Sequence, residues 1–367
     1  MASWVTGEAL KQYLHGVPFL SFDGERAVIN RLDPAYRSYP YDMWSTSLAS
    51  AGVRLEFRTA AREALVRLRY VEIRGPGAPA TALNGVRPAS LPKAAPGAPG
   101  PVVARPGSVA TSIWRDGKRI SQYAPEGKLG DHEIKFTLPG GAGAYTVYLP
   151  FNAVVDVAGI SADGLQPVTE RRPRWLAFGD SITQGLHATD PGNTYLAIMA
   201  RNLGLDLYNM GYSGAGRGEP SGAEVLAGLP ADVITLFFGT NIMPRVWYDT
   251  KAWAETVRMF LEIVRTGHPT TPILVLTPLF RVAGDHETKP NRMGMTLPDL
   301  RAAQEAVVKA MQTAGDRNLH ILSGISVIGE KDLALLEDGL HPNDAGMERV
   351  AKELGARLAA LVKVAVR

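Results

Sequence analysis

Between about residues 18 and 160, apolar positions alternate with polar ones or come in short runs broken by turn residues. Val53-Arg54-Leu55-Glu56-Phe57-Arg58 alternates with a period of two, as does the stretch 64–70, and this is how a half-buried strand reads. Ile113-Trp114-Arg115 and Ile120-Ser121-Gln122-Tyr123 flank Asp116-Gly117, a dipeptide that favours a two-residue hairpin turn. Residues 132–138 and 145–149 predict two more strands around a glycine-rich turn, and a last apolar run ends near Val157. Short strands at this spacing, with no helical period among them, predict an all-β sandwich, jelly-roll-like, over residues 1–170. Within it, residues 75–108 are rich in Pro, Ala and Gly, a composition that builds no core and reads as a long surface loop. The stretch after Val157 reads as a packed connection, because Ile160, Leu165 and Val168 interrupt what would otherwise be a polar linker.

From about residue 173 the texture changes. Apolar runs at 175–178, 207–210, 233–238, 273–276 and 319–322 are short and continuous, as strands buried on both faces are. Helical patterns separate them. Residues 249–266 end at Gly267 and Pro269, and 297–314 end at Gly315. The last, from Asp344 to about 364, carries Val350, Leu354, Leu358 and Leu361 near helical spacing. Strands alternating with helices predict a three-layer α/β/α domain around a central parallel sheet over residues 171–367. In such sheets ligands bind beyond the carboxyl ends of the strands, so reactive groups are expected just after a strand.

Composition narrows the chemistry. The chain has 367 residues, 46% of them hydrophobic, which is more than one core comfortably holds. Lys and Arg number 39 against 36 Asp and Glu, a balance of +3 that does not suggest a nucleic-acid partner. No cysteine is present, which excludes disulfides, thiolate nucleophiles and Cys-ligated zinc. No segment approaches the roughly 18 apolar residues that span a bilayer, so no membrane partner is expected. The start, Met1-Ala2-Ser3-Trp4-Val5, lacks a basic stretch followed by an apolar run, and a cytoplasmic location is the expectation.

Four blocks fall after successive strands. The first is Gly179-Asp180-Ser181-Ile182-Thr183-Gln184-Gly185, which lifts a serine at a strand end. Asn209-Met210-Gly211-Tyr212-Ser213-Gly214 follows the second strand, and Gly239-Thr240-Asn241 the third. The fourth is Asp338-Gly339-Leu340-His341-Pro342, with Pro342 expected to open the last helix. A serine hydroxyl is a weak nucleophile until a base takes its proton. Histidine suits that task, and a carboxylate fixes the imidazole's tautomer and supports its charged form. Acyl transfer places negative charge on a carbonyl oxygen, which glycine N–H groups and an asparagine amide are suited to meet. Taken singly, each block also fits a plain turn or helix cap.

Together the four blocks resemble those of the SGNH, or GDSL-type, hydrolase and acyltransferase family, over about residues 173–364. The resemblance implies a flavodoxin-like catalytic domain with Ser181 as nucleophile and Asp338 and His341 completing a catalytic triad. It implies an oxyanion hole from the Ser181 and Gly214 N–H groups and Asn241. The sandwich ahead of this domain resembles the arrangement in actinobacterial acyltransferases that decorate polyketides. No metal or organic cofactor is implied. The expected partners are a small-molecule acyl donor, ester or thioester, and a hydroxyl acceptor. Water in place of the acceptor makes an esterase. A deacetylating carbohydrate esterase that uses the sandwich to bind sugar is the alternative. Met243, Trp247, Tyr248, Arg281 and Arg292, with His286, Met293 and Met295 nearby, lie on the same rim by position and are candidate substrate contacts. Asp285-His286-Glu287 has no partner at ligand spacing and reads as a solvated loop. No Gly-x-Ser-x-Gly elbow occurs.

Overall fold

A computed structural model describes residues 3–36, 38–73, 106–245, 248–286 and 289–365. The chain divides into two compact units. The first holds Met1–Leu32, Trp44–Glu170 and Thr189–Gly192; the second holds Asp33–Met43, Arg171–Ala188 and Asn193–Arg367. Two short segments thus cross position 170: Asp33–Met43 belongs to the second unit and Thr189–Gly192 to the first.

The first unit consists of two antiparallel sheets. In one, Arg54–Thr59 pairs with Leu14–His15, Gln166–Pro167 and Gly143–Tyr148, which in turn pairs with Thr111–Arg115 and through it with Lys118–Tyr123. In the other, the order is Phe19–Asp23, Arg26–Asn30, Ala153–Ser161, Glu63–Ile73, Gly130–Thr137. Alternation along Glu63–Ile73 sends Ala64, Val66, Leu68 and Tyr70 into the core, where they join Phe57, Ile113, Tyr145 and Val147 from the opposite sheet. The hairpin turn has Asp116 at φ 51° and Gly117 at φ 74°, the two left-handed residues that a type I′ turn needs. The apolar run near Val157 extends to Ser161, and Gln166–Pro167 is a further short strand, so the expected connection is shorter than its sequence suggests. The proposed surface loop at 75–108 lies almost wholly outside the described residues, its last residues forming the short turn Pro106–Val109.

The second unit has a parallel sheet, labelled β1 (Arg174–Gly179), β2 (Asp206–Gly211), β3 (Val233–Phe237), β4 (Ile273–Leu276) and β5 (Leu319–Leu322), in the order 2-1-3-4-5. This is the flavodoxin-like order, with its switch point between β1 and β3. The helices are α1 (Ser181–Gln184), α2 (Tyr195–Leu203), α3 (Pro220–Gly228), α4 (Ile242–Arg245), α5 (Thr250–Gly267), α6 (Leu297–Thr313) and α7 (Asp344–Ala365). Asp249 caps α5 by accepting the Ala252 N–H, and Thr296 with Asp299 forms a capping box on α6. Pro342 does not open α7. It bridges to Leu336, and Asn343 takes the capping position, accepting the Gly346 N–H. Trp175, Phe178, Phe238, Trp253 and Phe260 are buried in this unit. None of the described helices is long and apolar enough to cross a membrane.

The exchanged segment Thr189–Gly192 is anchored by a buried carboxylate. Asp190 Oδ1 accepts from Ser112 Oγ at 2.8 Å, Trp114 Nε1 at 3.2 Å and Gly192 N at 2.7 Å, while Oδ2 faces Arg119 at 3.2 Å. Removing it strands several buried donors at once. Asp190→Ala is expected to lower the unfolding free energy by about 3 kcal/mol, because buried donors left unpaired each cost a desolvation penalty. The exposed Asp163→Ala serves as comparison and is expected to change it by less than about 0.5 kcal/mol. Equal effects of the two substitutions in urea unfolding would contradict this account.

Candidate active site

The first block is shaped by close approach. A Cβ on Gly179 would come within 2.1 Å of Thr183 Oγ1 and 2.5 Å of the Phe237 carbonyl, so only glycine lets β1 run into α1 beside β3. Asp180 caps α1 by accepting the Ile182 N–H at 2.9 Å, and Ser181 becomes its first residue. The one-turn helix ends at Gly185, at φ 115°. This short element presents Ser181 just beyond the end of β1, as the sheet order requires.

The loops after β1, β2 and β3 are tied to one another. The Tyr212 N–H donates to the Gly179 carbonyl at 3.0 Å, and the Ser213 N–H to Gln184 Oε1 at 2.8 Å. Asn241 Nδ2 donates to the Ala215 carbonyl at 2.8 Å, and the Gly239 N–H to the Gly216 carbonyl at 3.0 Å. Asn241 thus has one amide hydrogen fixed and a second left over. Among the described residues, no protein acceptor takes the N–H of Ser181 or Gly214.

The fourth block completes a chain of hydrogen bonds. Ser181 Oγ lies 2.8 Å from His341 Nε2, and His341 Nδ1 lies 2.8 Å from Asp338 Oδ2. Asp338 Oδ1 accepts the N–H groups of Leu340 at 3.1 Å and His341 at 2.8 Å, a turn in which the carboxylate locks its own loop. Burial alone would raise the Asp338 pKa. Hydrogen bonds from His187 and His341 outweigh it and hold the carboxyl far below the usual carboxylate range. Ser181 is 6% exposed.

Residues 174–359 match the model of the GDSL-like lipase/acylhydrolase family. The chain belongs to that family. The enzyme is therefore a serine esterase or acyltransferase. Among solved structures it is similar to SsfX3, a salicylyl-acyltransferase from a tetracycline biosynthetic pathway, at 27% identity over 96% of each chain with a TM-score of 0.78. It shares its fold with a GDSL-like lipase from Bacteroides ovatus, at 22% identity over 99% of this chain and 98% of that one, TM-score 0.75. It also shares it with a family two carbohydrate esterase from Clostridium thermocellum, at 16% identity over 85% and 93%, TM-score 0.60. No curated protein sequence matches it significantly.

The remaining rim residues of this GDSL-family enzyme are less uniform. Met243 sits half-buried in α4, and Trp247 lies outside the described residues. Tyr248 stacks on Trp253 with ring centroids 6.4 Å apart, and it lines a 620 Å³ cavity with Tyr36, Arg217, Glu224 and Met259. Arg217 is held by Asp42 at 2.7 and 2.9 Å and by Glu219 at 3.0 Å. A second cavity, of 460 Å³, is lined by Phe280, Arg301, Ile325 and Glu330. Ser181 lines neither of these two cavities. Arg281 is half-buried; burial lowers its pKa, opposed by the charges of Asp338 and Asp285. Arg292 is exposed and already partnered. Met293 is exposed and Met295 is core. Asp285 is not solvated as expected: it is buried against Arg301 at 2.7 Å, while His286 meets Glu330 at 3.1 Å and Glu287 lies outside the described residues.

Sequence reasoning missed two groups. His187 Nε2 lies 3.4 Å from Asp338 Oδ2, and its ring stacks on His341. His187, Asp338 and His341 offer three possible metal-ligand atoms within 4.8 Å of one another. Of these three residues, His341 and Asp338 are already hydrogen-bonded to each other at 2.8 Å. The second group is Asp180. It is wholly buried, and its Oδ2 has no partner. Burial pushes its pKa up to about 6 against the pull of the Ile182 N–H and the His341 charge.

A raised folded-state pKa means that Asp180's contribution to stability is fullest below the unfolded carboxylate value, near pH 4, and is lost as pH rises through about 6. Asp180→Asn keeps the capping oxygen and removes the charge. It is expected to stabilise the protein at pH 8 by about 2–3 kcal/mol, with the gain shrinking toward pH 4. Denaturant unfolding of both proteins at pH 8 and pH 4.5 checks this; a gain independent of pH contradicts it.

Proposed function

We propose that the enzyme forms an acyl-enzyme on Ser181 and passes the acyl group to a hydroxyl of a small-molecule natural product. The observation that carries the reading is the continuous chain Ser181 Oγ, His341, Asp338, with 2.8 Å at each link. His341 Nε2 takes the Ser181 proton as Oγ bonds to the carbonyl carbon of an ester or thioester. The carbonyl oxygen becomes an oxyanion, met by the Ser181 and Gly214 N–H groups and the second amide hydrogen of Asn241. Collapse breaks the bond to the leaving alcohol or thiol, which receives the proton from His341. The acceptor then gives its O–H proton to His341, its oxygen attacks the acyl carbon, and Ser181 recovers its proton as the product ester leaves. Asp338 stays ionised throughout and steadies the imidazolium. No step requires a metal or an organic cofactor.

Transfer is preferred to hydrolysis because the likeness to the salicylyl-acyltransferase spans both units, 96% of each chain, and carries the higher identity. Tyr248 and Arg281 are our candidates for contacting substrate, with Met243, Trp247 and Arg292 as further rim candidates. We take the sandwich as part of the working enzyme, since Thr189–Gly192 is built into it. The carbohydrate-esterase reading rests on neighbours at 16% identity, which support the fold alone.

Partitioning of the acyl-enzyme tests the proposal. The protein is acylated with a panel of aryl and alkyl thioesters, the adduct is read by intact mass, and its decay is followed with and without phenolic or alcoholic acceptors. Transfer predicts that a suitable acceptor speeds decay and that its ester accumulates. Decay to free acid at one rate, whatever hydroxyl compound or acetylated sugar is added, makes the enzyme a plain esterase and overturns the proposal.

A further inference from the structure

His187 has no part in the mechanism above, yet it is placed against its central carboxylate. It is the third residue of a turn over 185–188, closed by the Ala188 N–H on the Gly185 carbonyl at 3.1 Å. Its φ is +71°, the only positive value in that turn besides the glycine's. A type II turn asks for glycine at this position, and a side chain with a Cβ there costs on the order of 1 kcal/mol. The sequence nevertheless puts an imidazole on this spot, 10% exposed, with Nε2 at 3.4 Å from Asp338 Oδ2. The ring lies nearly parallel to that of His341, with centroids 4.9 Å apart and planes 23° from each other. Asp338 Oδ2 therefore meets two imidazoles, while its other oxygen holds the loop.

We propose that His187 is a positioning residue for acyl transfer: its Nε2–H shares the Asp338 carboxylate with His341, and its ring supports the face of His341. This rests on the reading of Ser181, His341 and Asp338 as the reacting unit. A carboxylate's negative charge helps its imidazole partner keep a proton, and each additional donor on that carboxylate weakens the hold. An N–H from His187 on the same carboxylate draws part of that charge away from His341. The other charges facing the pair are Asp180, which acts on His341 and favours its charged form, and Arg281, which acts on Asp338. Neither is altered when His187 is replaced. The unpartnered, buried Nδ1 of His187 fits an imidazole retained for what its other nitrogen does.

The test is the pH profile of kcat/KM for p-nitrophenyl acetate, with melting temperature measured alongside. His187→Phe keeps the stacked ring and removes the donor. Its acid limb is expected to move to higher pH by about 0.5–1 unit, with kcat reduced severalfold and KM unchanged. His187→Gly suits the positive φ and serves if the phenylalanine variant fails to fold. It is expected to melt no lower than wild type and to shift the limb in the same direction by less, because water replaces the donor. Acid limbs in both variants that coincide with that of the wild type overturn the proposal and leave His187 a turn residue. A wild-type protein whose Ser181 takes no acyl label would overturn the triad reading beneath it, an outcome that the pH profiles do not mimic.

Discussion

Four N–H donors converge on the carboxylate of Asp338: the backbone N–H groups of Leu340 and His341, the Nδ1 of His341 and the Nε2 of His187. This convergence does two things that a free carboxylate cannot. It keeps Asp338 ionised although the group is partly buried, and it makes the loop between β5 and α7 a rigid mount for His341. The position of His341 Nε2, 2.8 Å from Ser181 Oγ, follows from that mount. In the proposed mechanism a proton passes from serine to histidine only while this distance and the tautomer set by Asp338 are both maintained.

The serine's side of the arrangement is set by the sheet. In the order 2-1-3-4-5, the chain leaves β1 toward one face of the sheet and β3 toward the other, opening a crevice at their carboxyl ends. Gly179 and Gly211 permit the close packing there, since a Cβ on Gly211 would come within 2.3 Å of the Gln184 nitrogen. The loops after β1, β2 and β3 then hydrogen-bond to one another instead of to solvent, which fixes the backbone carrying Gly214 and Asn241, the proposed oxyanion-hole donors, without help from substrate. Electrostatic preorganisation of this kind stabilises a transition state most when no donors have to move during the reaction. Asp180 shows its cost: the capping residue that starts α1 carries a buried carboxylate with one oxygen unpartnered.

Much of this was legible in the chain. Continuous apolar runs marked all five parallel strands, and 273–276 and 319–322 coincide with β4 and β5. Asp116-Gly117 marked its hairpin, and the first and fourth blocks held the serine, aspartate and histidine that hydrogen bonds link. What escaped the reading depends on distance or on backbone conformation. Ala153–Ser161 is buried on both faces for most of its length, so it shows no alternation to mark its end. Asp190 owes its place to Ser112 and Trp114, far away in sequence, and no local pattern marks it. His187 occupies a left-handed turn position that composition does not flag in a histidine. Asn343 takes the cap in place of the expected Pro342 because Pro342 is engaged in a bridge to Leu336.

The central claim is that Asp338, His341 and Ser181 act as one unit. The measurement that bears on it most directly is the rate at which a fluorophosphonate labels Ser181, located by peptide mass, in wild type and in Asp338→Asn. The substitution preserves shape but presents His341 with the wrong hydrogen-bonding partner. The account predicts labelling at Ser181 that slows by about 10³-fold or more in the variant, with the melting temperature little changed. Labelling of Ser181 at the same rate in both proteins, or labelling at another residue in the wild type, would contradict it.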